Sequence, residues 1–343
     1  MKTYKNLYPQ IYDFDNLHRA YLKARRCKRY KRDVLRFSAN LEENLINIQN
    51  HLIWETYKPS PYKYFTIYEP KERLIAALPF TDRVVHHALC NIIEPIFERS
   101  MIRDSYACRT GRGVLSGVTR TTQFLRDTNR VWGRAYCLKA DVKKFFPSID
   151  HDVLKKILRQ RIGCPDTVKM MDTIIDSTGS PVGLPIGSLT SQLWANVYLN
   201  ELDHFIKGRM RLRYYVRYMD DFIILHDNKK SLKIILDDVT AFLGDYLRIK
   251  LNTKTQIFPI GPRCIDFLGY RIWPDHRLLR KGNVRRTKRK LHKFERLYAQ
   301  GQLTLADINP SVVSWIGHAM HADTWRVRNK ILNNLIFTRE AVV

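Results

Sequence analysis

Two adjacent carboxylates, Asp220 and Asp221, are the residues of this sequence with the clearest capacity for chemistry. They follow Tyr218 and Met219 and separate two apolar, β-prone stretches. This pattern predicts a β-hairpin that carries both carboxylates at its tip. Because two like charges repel each other beside buried strands, the arrangement favours a site where divalent metal ions neutralise them.

A third carboxylate, Asp141, ends a predicted strand over residues 139–142. Neighbouring strands lie about 4.8 Å apart, so carboxylates at adjacent strand ends can share one pair of ions. Two divalent ions roughly 3.5–4 Å apart can clamp the attacking and leaving oxygens of an in-line phosphoryl transfer. The residues therefore predict that Asp141 and Asp220 bind two Mg²⁺ ions and that Asp221 supports them. The alternative is two unrelated surface turns.

The charge of the chain indicates an anionic partner. Its 343 residues are enough for two or three lobes, and 59 basic against 33 acidic residues give a formal net charge of +26. Solubility does not require such an excess, so nucleic acid is the first candidate partner and a membrane surface the second. The sequence has no run of 18 apolar residues and no apolar signal core, which predicts no membrane span and an intracellular protein.

Cysteine spacing and basic segments add two further expectations. The six cysteines include no C-x-x-C pair, so we expect free thiols rather than a zinc site. Residues 23–33 hold seven basic residues, which fit either a solvated helix face or a contact with RNA backbone. Residues 277–293 hold nine and predict a basic helical lobe.

Periodicity places the other elements that must position the carboxylates. Strands are predicted over 62–69 and 267–272, and amphipathic helices over 82–98, 188–207 and 230–247. The second helix should begin at Ser188 or Thr190, because either side chain can cap free backbone N–H groups.

Several blocks of the chain, in order, resemble motifs of reverse transcriptases. Tyr-Met-Asp-Asp at 218–221 is similar to their catalytic signature. Other blocks resemble the first palm motif (141–150), the loop–helix block under the template (183–192) and the primer-grip strand (267–270). Upstream, Arg73 and residues 82–85 and 105–109 resemble the fingers blocks of bacterial, group II intron-like enzymes. The resemblance covers about residues 60–275.

This resemblance implies an α+β fold of the right-hand polymerase type. An N-terminal extension and fingers would occupy residues 1–135. The palm, an antiparallel sheet packed on helices, would occupy 136–275 and include a small fingers portion near 151–182. A basic helical thumb would occupy 276–343.

One departure from the usual reverse transcriptase motif indicates which subfamily the chain resembles. Most reverse transcriptases carry Gln-Gly where this chain has Ile186 and Gly187, and Ile-Gly-x-x-x-Ser-Gln over 186–192 resembles the enzymes of diversity-generating retroelements. That family copies a template RNA with errors opposite adenines and works with a small, basic, pentameric accessory variability protein. Two alternatives stay open: a group II intron-like or defence-associated reverse transcriptase of ordinary fidelity, and a non-catalytic RNA-binding scaffold.

The resemblance also implies roles for individual residues. Asp141, Asp220 and Asp221 would be catalytic, and they would hold two Mg²⁺ ions together with Val142. The deoxynucleoside triphosphate would contact Lys71, Arg73, Phe146, Ile186, Gly187 and Lys254. Template RNA and the RNA–cDNA duplex would contact Arg109, Ser188, Gln192, Tyr218, Met219, Gly269, Tyr270, Arg280, Lys281, Arg285, Arg286, Lys288 and Arg289. The expected location is the cytoplasm of a bacterium or a phage-infected cell, with no membrane partner.

Overall fold

A computed structural model of the chain describes residues 3–68 and 71–339. The chain divides into two compact units. Unit one comprises Met1–Gly111, Ala140–Phe222 and Ile234–Thr255, and unit two comprises Arg112–Lys139, Ile223–Lys233 and Gln256–Val343. The predicted division into fingers, palm and thumb stays a prediction.

Unit one begins with four helices that precede a β-hairpin and a long helix. The elements are α1 (Tyr8–Tyr12), α2 (Phe14–Ala24), α3 (Arg32–Ala39), α4 (Leu41–Ile53), β1 (Lys63–Ile67), β2 (Arg73–Ala77) and α5 (Phe80–Glu98). Buried Leu17, Ala20 and Tyr21 recur on one face of α2, which packs against α5.

These N-terminal elements test three sequence predictions. The helix predicted over 82–98 is confirmed, and it begins two residues earlier, at Phe80. The strand predicted over 62–69 is confirmed over Lys63–Ile67, while residue 69 lies outside the described residues. The helix face proposed for the basic residues 23–33 is wrong in its middle part, because α2 ends at Ala24 and α3 begins at Arg32.

The centre of the chain forms a four-stranded sheet and the helices that precede and connect its strands. The next elements are α6 (Val114–Trp132), β3 (Tyr136–Asp141), α7 (Phe145–Ser148), α8 (His151–Arg159), α9 (Pro165–Asp176), α10 (Leu189–His204), β4 (Tyr215–Tyr218), β5 (Asp221–His226), α11 (Lys229–Asp245) and β6 (Gln256–Pro259). The strand order is β4-β5-β3-β6, and β3 pairs antiparallel with β6. The predicted strand end at Asp141 and the predicted hairpin around 220 are therefore both confirmed.

Helix α10 begins where the sequence places it but not by the expected mechanism. Ser188 is the N-cap residue, yet its side chain makes no capping hydrogen bond. Its hydroxyl instead lies 2.9 Å from Thr190 Oγ1 and 3.1 Å from Nδ1 of the buried His86. The helix ends at His204 and continues as one π-helical turn over Phe205–Arg209, which replaces the predicted α-helical end at 207.

Unit two ends with a three-stranded antiparallel sheet and three helices. These are β7 (Ile265–Phe267), β8 (Tyr270–Ile272), β9 (Arg277–Leu279), α12 (Lys281–Ala299), α13 (Leu305–Ala319) and α14 (Trp325–Leu332). The single strand predicted over 267–272 is wrong. Leu268 and Gly269 adopt φ values of 53° and 93°, which turn the chain between two paired strands. The basic segment 277–293 likewise begins as a strand before it becomes helical.

Two expectations from composition can be compared with the structure. Across the described residues, no helix is both long and apolar enough to cross a membrane. All six cysteines are described, and none forms a disulfide; Cys90, Cys137 and Cys164 are buried.

A fully buried ion pair holds the strand before the carboxylates. Arg217 in β4 and Asp203 in α10 are both completely buried, and Arg217 Nη2 donates to Asp203 Oδ2 at 2.6 Å. Arg217 Nε and the Tyr215 hydroxyl each donate to Asp203 Oδ1 at 2.7 Å. Arg217 also exchanges backbone hydrogen bonds with the 104–106 segment, through Asp104 O and Tyr106 N. The pair therefore ties the strand, the helix and this segment together.

We expect Arg217→Met to destabilise the protein by about 3–5 kcal/mol, because it leaves the Asp203 carboxylate buried without its cation. Urea unfolding monitored by circular dichroism measures the loss. Arg217→Met combined with Asp203→Leu should recover part of it. Arg130→Met is the matched control, because Arg130 is exposed and its ion pair with Asp127 is long, at 3.7 Å. This variant should lose less than about 1 kcal/mol of stability. Equal losses in the two single variants would contradict the prediction.

His86 predicts a pH dependence of stability. Burial, reinforced by His87 and opposed by Asp82, lowers the pKa of His86 from 6.5 to about 4. Between these values the unfolded chain binds a proton that the folded chain does not, so stability falls as pH falls from about 6.5 to 4. The full contribution is at most about 3 kcal/mol.

We expect the wild type to lose stability relative to His86→Asn when the pH falls from 7 to 4.5, because the variant has no imidazole to protonate. Paired urea titrations at the two pH values measure this difference. Asn129→Ala, at an exposed position of α6 without a titratable side chain, is the control and should keep the pH dependence of the wild type. A constant difference between wild type and His86→Asn would show that His86 does not titrate as its burial requires.

Candidate active site

The hairpin tip is held in a strained conformation by a residue that sequence reasoning missed. Met219 adopts φ 55°, which is uncommon for a residue with a side chain. Nη1 of the buried Arg217 donates to Met219 O at 2.9 Å and to Asn196 Oδ1 at 3.2 Å. This contact fixes the turn from inside, and the turn delivers Asp220 and Asp221 at the start of β5.

The structure brings Asp141 and Asp220 together. Val142 N donates to Asp220 O at 3.2 Å, which brings the two aspartates side by side. Burial and the charge of Asp141 raise the pKa of Asp220 to about 6, while Arg73 opposes the rise. Two carboxylates this close repel each other, so the pair is unfavourable when both are ionised.

The donor set fits a divalent cation. A cation between the two carboxylates would offset the repulsion between them, and oxygen is the ligand that Mg²⁺ prefers. Asp221 Oδ1 is buried at the same tip. Val142 has a hydrocarbon side chain, so it could offer only its backbone oxygen. Within the described part of the chain, no group of three or more His, Cys, Asp or Glu side chains is arranged as a metal site.

Asn252 is a second residue of the site that the sequence analysis did not identify. Its Nδ2 donates to Asp141 Oδ2 at 3.1 Å, and its backbone N donates to Asp141 O at 2.7 Å. The sequence pointed instead to Lys254, two residues further on. Lys254 is exposed, and its backbone N donates to Asn252 Oδ1 at 3.1 Å. Only the hydrogen-bond partner, 111 residues away in the chain, distinguishes Asn252 from other polar loop residues.

The structure locates Arg73 and Phe146, whose roles in nucleotide binding stay predictions. Arg73 begins β2, is exposed, and is close enough to Asp220 to lower the pKa of its carboxyl. Phe146 is half-buried in α7, and its backbone oxygen accepts a hydrogen bond from Leu184 N at 2.9 Å. Lys71 is exposed, and its role in nucleotide binding stays a prediction.

The Ile186–Gly187 loop lies directly against β2. Ala76 N donates to Ile186 O at 2.8 Å. Gly187 adopts φ 120°, and a Cβ there would lie 3.0 Å from Ala76 O and 3.1 Å from Ile75 Cγ2. No other residue fits this close approach without displacing backbone, so the glycine keeps the loop on the strand that carries Arg73.

Three residues predicted to contact template or primer are buried in the protein, and their contact stays a prediction. The Arg109 guanidinium forms an ion pair with Glu98 at 2.6 Å and donates to two backbone oxygens. Ser188 is 3% exposed, and its hydroxyl bonds to neighbouring side chains. Tyr270 is 0% exposed, and its hydroxyl lies 3.0 Å from His318 Nδ1. In each case tertiary contacts already satisfy the polar group.

The remaining predicted contacts stay predictions. Gln192, Tyr218, Met219 and Gly269 are half-buried. Arg280 is half-buried and pairs with Asp266. The five basic residues within α12 that are predicted to contact the duplex are exposed: Lys281, Arg285, Arg286, Lys288 and Arg289.

Comparisons with known proteins agree with this geometry. Residues 58–272 match the family described as "Reverse transcriptase (RNA-dependent DNA polymerase)". Protein YkfC of Escherichia coli K12 is 27% identical over 288 residues, which cover 71% of this chain and 73% of YkfC. The group II intron-encoded protein LtrA of Lactococcus lactis subsp. cremoris is 23% identical over 323 residues, which cover 72% of this chain and 52% of LtrA. The chain thus spans about half the length of LtrA.

A solved structure shows a similar fold. Apo telomerase from Candida tropicalis superposes with a TM-score of 0.52 at 13% identity, over 80% of this chain and 59% of that one. This similarity concerns the fold alone, and it confirms the predicted α+β fold of the right-hand polymerase type. Since the family match covers more than half of the sequence, the chain belongs to the reverse transcriptase (RNA-dependent DNA polymerase) family.

Proposed function

We propose that this protein synthesises cDNA on a template RNA, with errors at adenines, as the reverse transcriptase of a diversity-generating retroelement. The observation that carries the polymerase part is the placement of Asp141 beside Asp220, with Val142 N donating to Asp220 O at 3.2 Å. The Ile186–Gly187 loop supports the retroelement part, because it places an isoleucine against the strand that carries Arg73.

Asp141, Asp220 and Asp221, with the backbone oxygen of Val142, would hold two Mg²⁺ ions. When bound, such ions supply Lewis-acid stabilisation of charge on the reacting phosphate oxygens. The exposed guanidinium of Arg73 would bind the triphosphate, because its planar fork matches phosphate oxygens. Phe146 would restrict the sugar pocket and favour deoxyribose over ribose.

Ile186 provides the physical reason for low fidelity. A glutamine at this position could donate and accept hydrogen bonds near the templating nucleotide, whereas isoleucine offers only shape. A hydrogen bond of about 1 kcal/mol corresponds to a several-fold change in discrimination. The proposed partners follow from the same assignment: template RNA, deoxynucleoside triphosphates and a pentameric basic accessory protein. The net charge of +26 suits the nucleic-acid partners.

A group II intron-like enzyme of ordinary fidelity is the second candidate. The similarity to LtrA over 72% of this chain favours it. The two candidates share the polymerase site and differ in the error spectrum of their cDNA, so sequencing of the product separates them.

We expect Asp220→Asn to lower deoxynucleotide incorporation on a primed RNA by more than about a hundredfold, because charge stabilisation of the transition state is lost. Primer extension measures this rate.

Mg²⁺ should also raise the thermal unfolding midpoint of the wild type, since a ligand of the folded state stabilises that state. The rise should be much smaller in Asp220→Asn. Asp237→Asn, an exposed carboxylate of α11, should match the wild type in both assays. Full incorporation by Asp220→Asn would refute the site.

We expect Ile186→Gln to lower misincorporation opposite adenine several-fold, because the glutamine restores a polar contact near the templating base. Deep sequencing of cDNA from an adenine-rich template measures the error frequency. Ile186→Val is the matched control, because it keeps an apolar side chain, and its error frequency should stay at the wild-type level. If adenine errors are the same with glutamine, the proposed origin of low fidelity is wrong.

A further inference from the structure

Backbone pairing places Asn252 opposite Asp141. The short segment 250–252 runs antiparallel beside 141–143. Lys143 N donates to Lys250 O at 2.9 Å, and Asn252 N donates to Asp141 O at 2.7 Å. This register belongs to the backbone, so it is independent of the side chain at position 252.

Buried neighbours hold the segment in place. Leu247 and Ile249 are 0% and 1% exposed, and Ile249 N donates to Leu243 O at 3.0 Å near the end of α11. After the segment, Thr255 N donates to Asn252 O at 3.0 Å. The segment is therefore anchored on both sides of Asn252.

The hydrogen bonds of Asn252 determine the orientation of its amide. Its Oδ1 accepts from Lys254 N at 3.1 Å, and its Nδ2 donates to Asp141 Oδ2 at 3.1 Å. A flipped amide would set N–H against N–H at Lys254 and oxygen against oxygen at Asp141, so both bonds would be lost. The Lys254 backbone therefore directs the amide donor at the carboxylate.

We infer that Asn252 is a positioning residue that holds the Asp141 carboxylate in the orientation that receives a divalent cation, an inference that rests on the proposed function. The amide is neutral and donates to Asp141, so it can fix Oδ2 without adding charge to the site. Asp141 and Asp220 are neighbouring carboxylates that repel each other. The donor on Oδ2 restrains the Asp141 carboxylate against rotating away from Asp220.

Asn252→Ser isolates the amide donor. A serine hydroxyl can still accept from the backbone N–H two residues on, and the backbone bond to Asp141 is unaffected, but the hydroxyl is too short to reach the carboxylate. Asn228→Ser is the matched control. Asn228 Oδ1 accepts from Lys230 N at 2.8 Å in the same kind of turn, and the residue is exposed.

Two measurements test the role of Asn252. The first is the Mg²⁺ concentration that gives half-maximal primer extension, and the second is the rise in thermal unfolding midpoint that Mg²⁺ causes without any substrate. Mutation of a residue that orients a metal ligand typically lowers metal affinity about 10–100-fold. Asn252→Ser should therefore raise the half-maximal Mg²⁺ concentration at least about tenfold. Excess Mg²⁺ should restore most of its activity, and Asn228→Ser should behave as the wild type.

The Asp141→Asn variant shows whether Asn252 acts through Asp141. If it does, Asp141→Asn and the Asp141→Asn/Asn252→Ser double variant should show the same small midpoint rise with Mg²⁺. A merely structural role would lower the midpoint without Mg²⁺ and leave the Mg²⁺ dependence unchanged. An unchanged half-maximal Mg²⁺ concentration in Asn252→Ser, or a midpoint rise equal to that of the wild type, would overturn the inference.

Failure of the proposed function would look different. A wild type that gains stability with Mg²⁺ yet incorporates no deoxynucleotide on any RNA would refute the polymerase proposal only. The inference about Asn252 would then be decided by the midpoint rise of Asn252→Ser against that of the wild type.

Discussion

The repulsion between two carboxylates brought together from distant parts of the chain is the constraint on which this structure depends. Asp141 ends one strand and Asp220 lies at the tip of a hairpin, and a backbone hydrogen bond from Val142 N to Asp220 O brings the two residues side by side. Burial and mutual charge raise the pKa of Asp220 to about 6. Such a pair costs free energy in the folded protein, so it persists only where surrounding contacts impose it.

Those contacts come from two polar arrangements, of which the first is fully buried and the second half-buried. The Arg217–Asp203 ion pair holds the strand that leads into the hairpin. Arg217 also donates to the backbone oxygen of Met219, which adopts a positive φ at the hairpin tip. Asn252 fixes Asp141 from the side through one side-chain bond and one backbone bond. Because the two arrangements share no residue, each can be perturbed separately.

The nucleotide side of the site follows a similar logic. The Gly187 backbone lies so close to Ala76 that a Cβ there would be 3.0 Å from Ala76 O, and the neighbouring backbone would have to shift to accept it. This contact joins the loop that presents Ile186 to the strand that presents Arg73. A residue proposed to control fidelity and a residue proposed to bind triphosphate therefore belong to one small assembly. A change in either element can shift the other.

Local sequence was enough for the strand that ends at Asp141, for the hairpin that carries Asp220 at its tip and for the long helix that begins at Phe80, because periodicity and turn residues act over a few positions. The family and the α+β polymerase fold also followed from ordered motifs in the sequence. The strand predicted over 267–272 failed, because its turn depends on positive φ at Leu268 as well as Gly269.

The partners of polar side chains were decided by the tertiary structure alone. The resemblance predicts that Arg109 and Tyr270 contact template or primer. In the fold, Glu98 pairs with the Arg109 guanidinium and His318 lies within hydrogen-bond distance of the Tyr270 hydroxyl. Asn252 read as an ordinary loop residue, although it donates to a carboxylate 111 residues away. A sequence fixes which groups can form hydrogen bonds, but burial and long-range register choose which of them meet, because an unpaired polar group inside a protein is costly.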